Sequence, residues 1–276
     1  MANIYARDNA RLFAEGMATD ELPETVLFSR SAWAGSQKYG TAVWSGDIPA
    51  TWESLAVQVR AGLNIALSGI PWWTTDIGGF HGGDASDPQY QELVIRWFQF
   101  GVFCPIFRLH GDREPRNANG YAASGGPNEP WSFGEEAYEI IAETIRLRER
   151  LRPYVHAQME IAARTGLPPM RPLFVDFPDD EASWSIEDQF MFGPDILVAP
   201  ILGPGQTSRA VYLPSGGAWT DAWTGETLAG GRIAMVDAPI DRIPVFTFEG
   251  AVLPLLEHPE PASSETKDDE FDEALR

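Results

Sequence analysis

The stretch T-A-V-W-S-G-D-I-P-A-T-W-E-S-L-A-V-Q-V-R-A-G-L, Thr41 to Leu63, changes periodicity within a few residues. Thr41 to Trp44 is a short β-branched and aromatic run with strand composition. From Thr51 onward, Trp52, Leu55, Ala56, Val59 and Leu63 fall on one helical face. Between the two stand Ser45, Gly46 and one carboxylate, Asp47. An aspartate ahead of a helix reads first as an N-cap. Thr51, however, directly precedes the periodic run and can cap it alone, leaving Asp47 four residues outside. Trp44 stands close by, and an apolar ring beside a carboxyl favours the protonated form from which a general acid starts. Both readings of Asp47 stay open at this point.

The same strand-then-helix unit recurs. T-V-L-F-S-R-S (Thr25 to Ser31) is strand-like and closes on Arg30. N-I-A-L-S-G-I-P-W-W breaks at T-T-D-I-G-G-F, which carries Asp76 and Phe80; Tyr90, Leu93, Val94, Trp97, Phe98 and Gly101 then follow helical spacing. F-C-P-I-F-R-L-H is a fourth strand-like run, ending on His110. The pattern from Glu135 predicts a helix up to Pro153 and a further helix beyond it. Alternating βα units with polar residues at the strand ends suit a barrel whose functional groups gather at the C-terminal ends of parallel strands. No Gly-rich phosphate loop or G-x-S-x-G elbow follows any strand.

Near Pro172 the texture becomes short β-like runs separated by turn residues, with no helix expected. The expected fold is therefore α/β followed by all-β. A partial (β/α)8 barrel occupies 1–171, a β-sandwich 172–256, and an acidic tail 257–276 reads as disordered or as a severed linker.

Composition narrows the function. Ten tryptophans and 44% hydrophobic residues in 276 positions supply core enough for two domains. The net charge is −20, of which the tail from Glu257 supplies −6. That balance excludes nucleic acid and an anionic membrane surface as expected partners. No apolar run is long enough to cross a bilayer. One cysteine, Cys104, rules out an internal disulfide or a thiolate cluster and reads as a buried thiol. With no signal-type N-terminus, the balance leans slightly towards a cytoplasmic location. The H-G-G-D-A-S-D stretch has oxygen ligands without EF-hand spacing, so no metal is expected there. Read singly, Asp76 closes an Asx turn, Arg30 forms an ion pair and His110 is structural. Together, ringed by aromatics at successive strand ends, they fit a neutral polyhydroxylated ligand.

F-S-R-S-A-W-A-G-S-Q-K-Y-G-T-A-V-W-S-G-D, W-W-T-T-D-I-G-G-F and F-R-L-H-G-D resemble the catalytic half of glycoside hydrolase family 31. V-Y-L-P, W-T-D-A-W-T-G-E and A-P-I-D-R-I-P-V-F resemble its proximal β-sandwich. The resemblance runs from about Asn9 to Leu255 and implies a retaining α-glycosidase acting on terminal α-linked xylose or glucose of oligosaccharides, with α-xylosidase the nearer branch. It implies Asp47 as acid/base, and Arg30, Trp44, Asp76, Phe80 and His110 as sugar-binding residues. It implies no metal or organic cofactor. Retaining enzymes of this kind pair two carboxyls about 5–5.5 Å apart. The family's nucleophile sits on a strand upstream of the Arg motif. Asp8, Glu15, Asp20, Glu21 and Glu24, the acids ahead of Arg30, lie at no strand end. The chain therefore reads as the C-terminal part of such an enzyme, without its nucleophile and inactive alone. Two alternatives stand beside this: a non-catalytic fragment or split-gene subunit needing the N-terminal part of the barrel as partner, and a transglycosylase or lyase variant.

Overall fold

The computed structural model describes residues 4–18, 26–117 and 124–251. A first helix, α1 (Tyr5–Met17), precedes a parallel three-stranded sheet of β1 (Leu27–Ser29), β2 (Thr41–Trp44) and β3 (Trp73–Thr74), in that order. α2 (Trp52–Leu67) crosses from β2 to β3. Its Leu55, Val59 and Leu63 are buried, as the spacing predicts. Thr51 is its N-cap: Oγ1 accepts from the Ser54 amide at 3.1 Å. The capping reading of Asp47 therefore falls away.

Past β3 the chain makes an excursion, β4 (His81–Asp84), before α3 (Pro88–Gly101). β4 pairs with β5 (Asp112–Asn117), which pairs with β6 (Ser124–Gly126). Asp87 N-caps α3 by accepting from the Gln89 amide, and Asp84 bonds Ser86, so both acids of the H-G-G-D-A-S-D stretch serve local turns. The fourth strand-like run is not a regular strand. Ile106 donates to Trp73 O and Leu109 makes an isolated parallel bridge with Ile77. Pro105 carries no amide proton, and the Arg148 guanidinium takes the Val102, Cys104 and Pro105 carbonyls. The segment thus lies along the sheet with few backbone bonds, and a side chain takes carbonyls that a full ladder would otherwise satisfy.

α4 (Glu135–Thr165) corrects a second expectation, because it runs unbroken through Pro153. The ring removes one backbone bond, and burial of Leu147, Leu151, Val155 and Met159 against the core outweighs that loss. Cys104 is fully buried, and burial pushes its thiol up.

The β-rich part holds a six-stranded sheet ordered β12-β11-β14-β9-β8-β7 and a two-stranded sheet, β10-β13. Its strands are β7 (Met170–Arg171), β8 (Phe190–Phe192), β9 (Ile196–Val198), β10 (Ser208–Leu213), β11 (Ala218–Asp221), β12 (Thr227–Ala229), β13 (Arg232–Asp237) and β14 (Val245–Phe248). Two helical turns occur where none was expected, α5 (Leu173–Asp176) and a 3₁₀ turn at Glu181–Ser185. They are too short to leave a periodic signature. Met191, Leu197, Trp219 and Phe246 of the large sheet meet Val211, Leu213, Ala234 and Val236 of the small one, the two-layer packing of a sandwich. The opposite face of the large sheet packs on the barrel helices through Phe100–Phe190 and Phe103–Phe192 edge contacts. The acidic tail lies outside the described residues. Among the described residues no helix is long and apolar enough to cross a membrane.

Candidate active site

Parallel strands present their C-terminal ends on one side, and the predicted site residues stand there. Arg30 follows β1, Trp44 ends β2 with Asp47 three residues on, Asp76 follows β3, and His110 follows the Leu109 bridge. Phe80 closes the loop after β3, where its ring meets His110 at 5.5 Å and His81 at 4.7 Å between centroids.

The loops carrying these groups are tied together by backbone. The amides of Phe80 and His81 both donate to Ile48 O, at 2.7 and 3.0 Å, and Asp112 N donates to Phe80 O. Ser45 N donates to Thr74 O, and Ser45 Oγ accepts from the Asp76 amide at 3.3 Å. Gly79 is required here. Its φ is +76°, and a Cβ would lie 2.5 Å from Ala50 Cα.

A ladder of planar groups runs across the strand ends. Arg108 lies over Phe28 at 5.1 Å; Phe28 stacks on Trp44 with centroids 5.0 Å apart and planes 21° apart; Arg30 covers Trp44 at 5.4 Å. Each cation at the ends of the ladder holds one carboxylate. Arg30 Nη2 donates to both oxygens of Asp47, at 3.1 and 3.0 Å, and Arg108 Nη1 donates to Asp76 Oδ1. Stacking, cation–π attraction and charge-assisted bonds thus fix both acids.

The two acids differ in environment. Asp76 is fully buried, and its Oδ2 has no partner. Burial raises its pKa; Arg108 and His110 act against that, and Asp47 adds to it. A buried carboxylate oxygen without a donor is unfavourable until a ligand supplies one. Asp47 is partly open to solvent. The Asx-turn reading of Asp76 does not hold. Its backbone carbonyl, not its carboxylate, accepts from Gly79 N.

The structure brings all six predicted residues to this end of the sheet, together with Phe28 and Arg108, which the sequence did not single out. Both lie inside the quoted motifs, one residue before Ser29-Arg30 and two before His110. Only their stacking across strands reveals what they hold. Among the described residues no group of three or more His, Cys, Asp or Glu is arranged to hold a metal. Of the upstream acids, Asp8 and Glu15 lie on α1, with Asp8 paired to Arg7 and Glu15 near Arg11. Asp20, Glu21 and Glu24 lie outside the described residues.

A parallel-strand mouth with two arginine–carboxylate pairs is the kind of site a barrel-type α/β domain presents, and comparison with known proteins narrows this. Residues 1–158 match the profile of the glycosyl hydrolases family 31 TIM-barrel domain, and residues 166–253 that of the glycosyl hydrolase family 31 C-terminal domain. The chain belongs to glycoside hydrolase family 31. It is 42% identical over 254 residues to an α-xylosidase of Saccharolobus solfataricus, which covers 92% of this chain and 33% of that protein. It is 38% identical to α-glucosidase 2 of Bacillus thermoamyloliquefaciens, over 83% of this chain and 27% of that one. Among solved structures, a family 31 α-xylosidase from a soil metagenome, complexed with xylose, superposes with a TM-score of 0.86 at 55% identity. That superposition covers 91% of this chain and 38% of the other. The chain thus spans about a third of the length of such relatives.

Proposed function

We propose that this chain is the C-terminal portion of a retaining α-glycosidase that removes terminal α-linked xylose or glucose from oligosaccharides. Residues 1–171 serve as the barrel part and 172–256 as the sandwich. Asp47 protonates the glycosidic oxygen and then takes the proton of the incoming water. Arg30, Asp76 and His110 hydrogen-bond the sugar hydroxyls, and Trp44 and Phe80 shape the pocket. The observation that carries this reading is the buried, donorless Oδ2 of Asp76 at the strand ends, a position completed by a ligand hydroxyl. The xylose branch is favoured by likeness to relatives described as α-xylosidases.

The nucleophile is supplied by a part of the enzyme outside these 276 residues, and the 276-residue chain is inactive without it. A companion reading, a subunit that assembles with the N-terminal part of the barrel, draws support from α1 and β1. Leu12, Phe13, Val26 and Phe28 are exposed there, and β1 has a neighbour strand on one side only among the described residues. The test is hydrolysis of 4-nitrophenyl α-xyloside and α-glucoside by this chain and by a version extended upstream. Turnover is expected in the extended enzyme, with xyloside preferred. Robust turnover by the 276-residue chain would refute the missing nucleophile, and an inert extended enzyme would refute the glycosidase reading.

A further inference from the structure

Behind the predicted site side chains lies a fully buried arginine that forms no ion pair with a carboxylate among the described residues. Arg113, on β5, donates through Nη1 to Gly79 O at 2.5 Å and Gly82 O at 3.3 Å. Through Nη2 it donates to Ile77 O at 3.1 Å and His110 O at 3.5 Å. Its Nε donates to Asn128 Oδ1 at 2.7 Å, and its guanidinium carbon lies 5.3 Å from the Tyr90 ring centre. The adjacent Asp112 is taken by Arg116 instead. Burial lowers the pKa of Arg113, and Tyr90, Asp76 and Asp112 oppose that shift.

Desolvating a cation in this way is unfavourable unless several dipoles replace water. Here they come from carbonyls at separate points of the site: the loop from Ile77 to Gly82, the end of the Leu109 bridge, and the Asn128 side chain. Asp76 directly precedes that loop, Phe80 lies inside it, and the His110 carbonyl itself accepts. The glycines fit the same picture. A Cβ on Gly78, whose φ is +85°, would lie 2.8 Å from Arg113 Nη2, and one on Gly111 would lie 2.4 Å from the guanidinium.

We propose that Arg113 is a positioning residue of the active site, cross-linking the segments that hold Asp76, Phe80 and His110 in the arrangement that receives the sugar ring. The inference rests on the glycosidase reading above. Only a planar fork with five donors can serve carbonyls on one side and Asn128 on the other; an ammonium reaches part of that set.

The test uses the upstream-extended enzyme with Arg113→Met and Arg113→Lys. Two substrates are compared: methyl α-xyloside, whose alkoxide leaving group needs protonation, and α-xylosyl fluoride, whose leaving group needs little. Competent sites are counted with a covalent inactivator, so that kcat and KM refer to folded enzyme. Both variants should lose at least tenfold in kcat/KM per competent site, equally on both substrates and with raised KM. What is lost is the grip on the ring and not the delivery of a proton. Fewer competent sites with wild-type kcat and KM per site would overturn the proposal, because a merely structural arginine behaves so. If Arg113→Met fails to fold, Arg113→Lys decides by the same criterion. Asn128→Ala, which removes one acceptor at the rim, decides if neither folds: a two- to fivefold loss is expected, and unchanged constants overturn it. An inert wild-type extended enzyme would instead sink the glycosidase reading and this inference with it.

Discussion

Arg30 Nη2 lies 3.1 and 3.0 Å from the two carboxylate oxygens of Asp47, which brings the ends of two neighbouring parallel strands into one ion pair. The side chains are 67% and 31% exposed, and a pair so open to water contributes about 0–1 kcal/mol to stability. Its value is placement. Arg30→Ala should lower the melting temperature by less than about 4 °C. In the extended enzyme it should lower kcat/KM about ten- to hundredfold, the worth of hydrogen bonds to a charged group. Thermal melts and steady-state kinetics on the same preparation check this; a large drop in melting temperature with activity following the folded fraction would contradict it.

The cap of α2 belongs to Thr51, and the proposed proton transfer to Asp47. Thr51→Ala should destabilise the chain by about 1 kcal/mol, because Ser54 N loses its acceptor. Asp47→Ala should leave the stability contribution of α2 untouched. In the extended enzyme it should slow xylosides with poor leaving groups far more than activated ones, since only the former need the proton. Rates across a series of aryl leaving groups measure the difference, and a small uniform effect would return Asp47 to a structural role.

Asp76 sets up an opposition between stability and ligand binding. Its pKa is raised in the fold by burial, so the folded chain holds a proton that the unfolded chain releases. Stability therefore falls as pH rises from the ordinary value of 3.8 through the raised folded value, and stays lower above it. Asp76→Asn removes that slope. Arg108 then loses its partner but is 27% exposed and can take water. At pH 7 the variant should melt at or above the wild-type temperature, with the gap closing below about pH 3.8, and should lose sugar affinity. Melting curves from pH 3 to 8 test this; a variant that melts lower at pH 7 sinks the argument.

Arg96 on α3 joins the barrel to the sandwich. It donates to the carbonyls of Gln206, Ala238, Pro239 and Arg242, at 3.1, 2.7, 3.1 and 2.8 Å. Burial lowers its pKa to about 10, so it keeps its charge at neutral pH. Arg96→Met strands those carbonyls and should destabilise the chain by about 2–5 kcal/mol, with Arg96→Lys recovering little of it. Denaturant titration gives the number. Because Arg96 lies outside the sugar site, kcat/KM per folded enzyme should be unchanged.

The sequence holds eighteen arginines against two lysines. Arg96, Arg113 and Arg148 supply part of the reason. All three bind backbone carbonyls in clusters that a lysine could not span. A sequence shows the residue type but not its acceptors, because backbone carbonyls carry no residue identity and the clusters join segments distant along the chain. The same limit hid the continuity of α4 through Pro153. Local propensity ends a helix there, and only the packing of the turns on either side overrides it.

By itself the sequence determined the strand-to-helix units, the two-part α/β then all-β order and the polar residues at the strand ends. These follow from short-range periodicity and side-chain type, which are local properties. Tertiary structure decided which of those residues act as a set. Phe28, Trp44, Arg30 and Arg108 form one stack only because parallel register brings β1 and β2 side by side. Asp76 lacks a partner at Oδ2 only because the packed fold removes water from it, and burial is a property of the whole chain and not of its neighbours in sequence.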